Sequence, residues 1–555
     1  MDLGTVSRGR LPRKEAVCVG YGPMWHAGIG EMRMTPPTGK VAVHLLSGPM
    51  LRRRGLAVLS GVLLALSFPR FHLAPLAFGA LVPLLVGLHG VSTLQGTSLG
   101  IIAGMVFYLM SIPWVVHTMV TYGGLPLPLG VLLLIALSLY LALYVGVFAY
   151  GVTRLSTRGG LAYLLGTAAL WVILEYLRTF LLTGFPWNLL GYTQYRSLSV
   201  IQIASITGVY GVSFLLVLTN AAVALACLQF RRGGGRVLLP VLGAGLLLIG
   251  AVLFGMRQRV SAETRGREIR VSVIQGNIGQ GAKWDPRFRD RTIEIYRRLT
   301  RKAERGSDLI VWPESAVPFF LREGGPLSQQ VVDLAKNAQS YLLVGSPDRV
   351  GEIPTRLYNS AFLISPGGKI VQKYDKIHLV PFGEYVPLQS VLFFVEKMAT
   401  GIGDFSSGED FTVFDTPQGR FGVLICFEVI FPDQVRRYVR EGADFLVNIT
   451  NDAWFGDSGA PYQHLSMAAL RAVENGVYLV RAANTGISAL VTPTGQIRKQ
   501  SDLFVETVLS GTVVPRSSGT FYTRYGDVFA WGCGLMSVIV VAPWGGRGRK
   551  ERRKR

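Results

Sequence analysis

Acidic residues are scarce in this chain: 34 Asp and Glu stand against 56 Lys and Arg, for a formal net charge of +22. Charge of either sign is thin, at 16% of 555 residues, while half the residues are hydrophobic. With a mean hydropathy of +0.37, that balance departs from the composition of an ordinary soluble protein of two or three domains. Cysteine is sparse too. The four, Cys18, Cys227, Cys426 and Cys533, show no CxxC spacing, so neither a structural zinc site nor a disulfide framework is indicated. No GxGxxG follows a strand-like run and no GxxxxGK[ST] occurs, which leaves nucleotide binding unsupported.

What the chain has is apolar length. Hydrophobic stretches recur near 55–68, 73–89, 98–121, 125–152, 161–182, 199–228 and 237–255, and a last one runs from Val528 to Val541. Several reach the ~20 residues that cross a bilayer core. The positive charge gathers in short clusters beside them: Arg52–Arg54, Arg231 and Arg232, and a tail with seven Lys/Arg between Arg547 and Arg555. That is the pattern of membrane orientation and not a nucleic-acid footprint. With Arg52–Arg54 on the inner side, alternation puts Arg154, Arg158, Arg231, Arg232 and Arg236 inside as well, and leaves only Arg70 and Arg196 in the outer loops. Seven helices then deliver residues 257–526 to the outer side, and an eighth, within 527–545, returns the basic tail 546–555 to the cytoplasm. Residues 1–49 have no apolar core and are expected to be a disordered leader or an over-long gene start. The membrane domain is expected over 50–256.

Residues 257–526 alternate strand-like and helix-like segments. The strand candidates are Ile269–Ile274, Asp308–Val311, Tyr341–Gly345, Ser360–Ser365, Gly422–Ile425, Asp444–Asn448 and Tyr478–Ala482. Helical periodicity marks Phe288–Glu304, Ser328–Ala338 and Tyr462–Asn475. The alternation predicts a layered α/β domain. In such sheets reactive groups collect at the carboxyl ends of strands. Glu314 (in VWPES), Lys376 (in KYDKIHLVPFGEY) and Cys426 (in LICFE) all follow strand-like runs. A carboxylate can take a thiol proton as general base, and a neighbouring ammonium lowers the thiol pKa and stabilises an oxyanion. The backbone N–H of Phe427 would be a second oxyanion donor. Singly, each residue fits a bland role better: a buried thiol, a turn carboxylate, a solvated lysine.

The long motifs VWPES, KYDKIHLVPFGEYVP, GVLICFEVIFPD and NITNDAWFG resemble the signatures of the nitrilase superfamily, with its Glu-Lys-Cys triad. Joined to seven preceding membrane helices and one following, they resemble the apolipoprotein N-acyltransferase family across residues 50–545. The resemblance implies an αββα nitrilase-like domain beside a polytopic helical membrane domain. It implies Glu314 as general base, Lys376 as oxyanion-stabilising cation and Cys426 as nucleophile. Supporting roles fall to Glu384 (PFGEYVP), for which an exposed turn carboxylate is the lesser alternative, and to Trp284 (AKWDP) and Trp454 (NDAWFG), each as readily a packing tryptophan. Glu428 lies two residues past Cys426, where strand alternation would turn it to the same side. Phe427 replaces a tyrosine common in the family. The implied reaction is ping-pong: a phospholipid, typically phosphatidylethanolamine, acylates the thiol, and the N-terminal amine of a diacylglyceryl-cysteine apolipoprotein takes the chain. That is the last step of lipoprotein maturation in the bacterial inner membrane. No metal or cofactor is implied, and His378 and His464 are too isolated to argue for one. Two other readings compete, a membrane-tethered amidase acting on a small amide and a transporter or structural membrane protein with a degenerate outer module.

Overall fold

A computed structural model describes residues 48–156, 160–230, 238–261, 266–303, 306–351, 355–385, 404–516 and 519–541. The leader, Arg158, the cluster at Arg231, Arg232 and Arg236, and the basic tail lie outside them. The architecture below concerns Leu51–Arg555, one compact unit.

Six long helices among the described residues precede the C-terminal half: α1 (Gly48–Ser67), α2 (Thr93–Ser111), α3 (Leu127–Leu155), α4 (Gly160–Phe180), α5 (Val209–Phe230) and α6 (Leu238–Ser261). Among the described residues, five helices are long and apolar enough to cross a membrane, namely those at α2 to α6. α1 has the length but begins on Arg52–Arg54. The stretch 73–89 breaks into two short pieces, Ala74–Phe78 and Val82–Gly87. The stretch 199–228 is interrupted at Gly208, whose φ of +65° ends a short helix before α5 begins. α2 and α3 pack closely because glycines face the contact. A Cβ on Gly100 would meet the Val145 carbonyl oxygen at 2.4 Å, and one on Gly104 would meet Ala142 Cα at 2.7 Å. Small residues let backbones approach where lipid gives no hydrophobic drive.

The C-terminal half holds two six-stranded sheets. One has the order β12-β1-β2-β3-β4-β5 and the other β11-β10-β9-β8-β7-β6. The first comprises β1 (Ile269–Gln275), β2 (Leu309–Val311), β3 (Tyr341–Val350), β4 (Arg356–Ile364), β5 (Ile370–Asp375) and β12 (Thr507–Val513); the second comprises β6 (Val413–Thr416), β7 (Gly419–Ile425), β8 (Phe445–Thr450), β9 (Tyr478–Ala483), β10 (Ala489–Val491) and β11 (Ile497–Gln500). Each sheet is parallel at its centre and antiparallel at its edges. Helices α7 (Arg289–Lys302) and α8 (Pro326–Ala338) cover the first sheet, burying Ile293, Tyr296, Leu299, Val331 and Leu334 against Ile310, Leu342 and Phe362. α9 (Pro432–Arg440) and α10 (Ala460–Asn475) pack against the second. The inner faces meet through buried polar links: Ser488 and Ser501 both donate to Gln275 Oε1, at 2.6 and 2.8 Å. This is the expected αββα sandwich. All seven expected strands and three expected helices are present.

The halves are stitched by buried hydrogen bonds. Glu474 of α10 accepts the Val209 N–H at 2.8 Å, capping the start of α5, and Arg471 pairs with Glu474 at 2.9 Å. Trp187 donates to Gln463 Oε1 at 2.7 Å, and Gln463 Nε2 donates to the Ser111 carbonyl at 2.9 Å. A final helix, α11 (Val528–Val541), packs on α4.

Candidate active site

The carboxyl ends of β2, β5 and β7 converge, and each delivers one candidate. β2 continues through Trp312, whose N–H bonds the Leu343 carbonyl of β3 at 2.9 Å. Trp312 itself turns into the core, donating to Thr300 at 3.0 Å and stacking on Tyr296. Glu314 therefore emerges from a rigid support. Its two oxygens accept from Asn359 Nδ2 at 2.8 Å and the Asn451 N–H at 2.9 Å.

Lys376 follows β5, with its N–H bonded to the Asn359 carbonyl at 2.9 Å. Its ammonium lies 2.8 Å from Glu384 and 3.6 Å from Glu314, and is 1% exposed. Burial alone would strip its proton, but Glu384 and Glu314 outweigh burial and hold its pKa above the ordinary lysine value. Asn359 donates to both carboxylates at 2.8 Å, spacing them around the cation.

Cys426 stands where β7 ends and a short 3-10 turn, Cys426–Ile430, begins, with a left-handed φ of +52°. A non-glycine residue holds that geometry only where its surroundings over-determine it. Burial, then Glu314, push the thiol pKa up, and Lys376 pulls it down by less. Lys376 thus lowers this pKa as expected, and burial, on which the sequence is silent, outweighs it. The thiol rests protonated, so its proton must leave as attack begins.

One cavity of about 490 Å³ is lined by Cys426, Glu314, Lys376, Glu384, Phe427, Trp284 and Trp454. Its opposite wall is membrane helix α3, through Leu133, Ala136, Leu137 and Tyr140, with Trp114, Leu182 and Trp187 beside it. Seven of the eight residues singled out from sequence therefore meet. The exception is Glu428. Alternation fails there because the chain leaves strand geometry at Cys426 itself, and the carboxylate turns away beneath the Lys376 loop. It accepts from the N–H groups of Ile377 (2.8 Å), His378 (3.1 Å) and Ile425 (2.7 Å), and from Tyr374 (2.6 Å) and Gln434 (2.8 Å). Its position suits holding that loop rather than touching substrate. Among the described residues no cluster of His, Cys, Asp or Glu is arranged to hold a metal ion.

Sequence reasoning missed Lys283 and Asn359. Lys283, next to Trp284 in the AKWDP motif, is buried on the cavity wall and donates to the Glu314 carbonyl at 3.0 Å. Burial brings its pKa down from 10.5 to about 8. Between those values the unfolded chain binds a proton that the folded chain does not, so stability rises with pH across the window. The whole effect is at most about 3 kcal/mol. Melting temperatures from pH 7.5 to 10 are expected to climb in wild type relative to Lys283→Met; parallel curves would show that the buried ammonium carries no such cost.

Comparison with known proteins fits this geometry. Residues 270–521 match the carbon-nitrogen hydrolase family, and residues 60–222 match the apolipoprotein N-acyltransferase N-terminal domain. A Geobacter metallireducens protein named apolipoprotein N-acyltransferase is 48% identical over 493 residues, 88% of this chain and 94% of the relative. A Haemophilus influenzae protein of the same name is 33% identical, covering 87% and 93%. Among solved structures, Saccharomyces cerevisiae Nit3, of the nitrilase superfamily, aligns with 51% of this chain and 97% of its own, at 20% identity and a TM-score of 0.35. With five apolar helices of membrane-crossing length and relatives matched along nearly their whole length, the chain is a membrane protein and belongs to the apolipoprotein N-acyltransferase family.

Proposed function

We propose that this chain moves a fatty acyl group from a membrane phospholipid to the N-terminal amine of a diacylglyceryl-cysteine apolipoprotein. The observation that carries the reading is the two-sided cavity. Cys426, Glu314 and Lys376 form one wall, and an apolar helix of membrane-crossing length forms the other. An enzyme for a small soluble amide has no use for the second wall.

In the first half-reaction Glu314 takes the Sγ proton as sulfur attacks the ester carbonyl. The oxyanion forms against Lys376 and the Phe427 N–H. Collapse expels the lysophospholipid alkoxide, which recovers the proton from Glu314 and leaves a thioester. In the second half-reaction the apolipoprotein amine attacks that thioester and gives its proton to Glu314. Collapse then forms the amide and returns the thiol. Glu384 holds Lys376 in place, Glu428 holds its loop, and Trp284 and Trp454 shape the cavity. Phosphatidylethanolamine is the expected donor. Both substrates are lipid-anchored, so chemistry at the membrane surface spares them the cost of leaving it.

The same reading sets residues 50–256 as the membrane domain, 257–526 as the catalytic domain on the periplasmic side of the inner membrane, 527–545 as a last span and 546–555 as a cytoplasmic tail. The arginine bias of the loops supports it. Labelling of single surface cysteines placed in 257–526 from the cytoplasmic side alone would reverse that orientation. For the reaction, the detergent-solubilised chain given phosphatidylethanolamine and a diacylglyceryl peptide is expected to add one acyl chain to the peptide by mass spectrometry. Release of free fatty acid with no peptide acylation would sink the transferase reading.

A further inference from the structure

The left-handed backbone at Cys426 needs a cause, and a buried cluster behind it supplies one that the steps above do not use. His464 Nε2 lies 3.3 Å from the Cys426 carbonyl oxygen. Its Nδ1 lies 3.0 Å from Asp452 Oδ1 and 3.0 Å from Arg481 Nη2. Arg481 donates to Asp452 Oδ2 at 2.8 Å, Thr450 donates to Oδ1 at 3.1 Å, and Arg481 also reaches Asn448. The side chains of His464, Asp452 and Arg481 are 0–1% exposed. A Cβ on Gly486 would come 2.2 Å from Asp452 Oδ2, so the backbone closes over that carboxylate and keeps it from turning away.

Hydrogen-bond chemistry settles the role of the imidazole. A carbonyl oxygen only accepts, so Nε2 must carry a proton. Burial, then Arg481, lower the His464 pKa, and in the neutral ring Nδ1 accepts from Arg481. No proton then lies between Nδ1 and Asp452 Oδ1, so Asp452 acts on the ring through Arg481, which it holds at 2.8 Å. Both nitrogens are occupied. Although His464 lines the cavity, it has neither a free lone pair nor a spare proton for substrate, which rules out a general acid or base role. Its ring is also braced from the membrane side. Trp187 packs at 5.6 Å between centroids, and Phe455 meets the ring edge-on at 6.3 Å. The adjacent Gln463 ties Trp187 to the carbonyl of Ser111 in α2.

We propose that His464, oriented by Asp452 and Arg481 and braced by Trp187, is a positioning residue that grips the Cys426 carbonyl and so holds the left-handed turn that aims both Sγ and the Phe427 N–H at the ester. The inference rests on Cys426 being the nucleophile. It ties the nucleophile's geometry to the membrane half through Trp187 and Gln463, so the thiol is presented correctly only when that contact is made.

The test uses full-length chain in detergent micelles with phosphatidylethanolamine as acyl donor, following thioester formation in a single turnover. His464→Phe keeps a flat ring between Trp187 and Phe455 but deletes the donor. It is expected to slow acylation by about 10- to 100-fold, the size of a sub-ångström to 1 Å misplacement, with KM for the lipid within about twofold of wild type. His464→Gln restores an N–H in reach of the carbonyl and is expected to recover at least half of that loss on a logarithmic scale. Acylation by His464→Phe at the wild-type rate would overturn the proposal. So would equal slowing in both variants with matching falls in melting temperature, which would mark His464 as packing alone. If wild type itself forms no thioester, it is the assignment of Cys426 that fails, and that result reads separately.

Discussion

Cys426→Ser is expected to abolish the acyl-enzyme and to cut phospholipid consumption on the order of 10⁴-fold or more, as loss of a catalytic nucleophile generally does. The reason lies in the resting site. Burial already keeps the Cys426 thiol protonated, and Glu314 has to remove its proton during attack. A serine hydroxyl in the same place is far harder to ionise than a thiol and a weaker nucleophile at neutral pH, while the cavity, Lys376 and the lipid-facing wall are unchanged. The variant should therefore bind phospholipid with a KM near that of wild type and fail at chemistry. Intact-mass measurement after incubation with phosphatidylethanolamine reads it directly. Wild type gains one acyl mass that neutral hydroxylamine removes, and Cys426→Ser gains none. An acyl group mapped to another residue of wild type, or a variant retaining a tenth of wild-type turnover, would end the thioester mechanism for this chain.

How much of this site could be read from sequence divides along physical lines. Glu314 and Cys426 were legible because each follows a short buried apolar run and Lys376 because it follows a strand-like one, and strand ends are where α/β sheets expose reactive groups. β2, β3 and β8 were legible for the same reason. β11, with the sequence IRKQ, is an edge strand exposed beyond its first residue, and β12 is an edge strand that is mostly half-buried, so no hydrophobic pattern announced them. Glu428 was misdirected by a sound rule applied one residue too far, since alternation holds only while the chain stays extended and Cys426 does not. Lys283 and Asn359 act through contacts with residues distant in sequence; Lys283 has a local pointer in its neighbour Trp284, and nothing near Asn359 marks it. The membrane wall was invisible for the opposite reason. Along α3 almost every residue is apolar, so Leu133, which faces the cavity, cannot be told from Leu132, which is 60% exposed, until the helix is placed.

Lys376→Met carries the other large effect, and it separates two roles that one residue combines. The ammonium is the buried counter-charge of Glu384 and Glu314 and, in the proposed mechanism, the cation facing the oxyanion. Removing it leaves two carboxylates close together, spaced by Asn359, with Lys283, on the Glu314 side, as the remaining lysine of the cavity lining. Breaking a buried pair in this way costs about 3–5 kcal/mol of stability. The same change removes the oxyanion cation. Turnover is then expected to fall by about 10³-fold or more, beyond the 10²–10³ of a single oxyanion donor. The double variant Lys376→Met/Glu384→Gln divides these effects. Neutralising Glu384 removes the unpaired charge, so the melting temperature should recover most of what Lys376→Met lost. It leaves the oxyanion without the Lys376 cation, so turnover should stay at least about 10²-fold below wild type. Recovery of turnover along with stability would mean that Lys376 only balances charge, and that the oxyanion is held by backbone donors such as the Phe427 N–H. A double variant that stays as unstable as Lys376→Met would instead place the folding cost outside the Lys376–Glu384 pair.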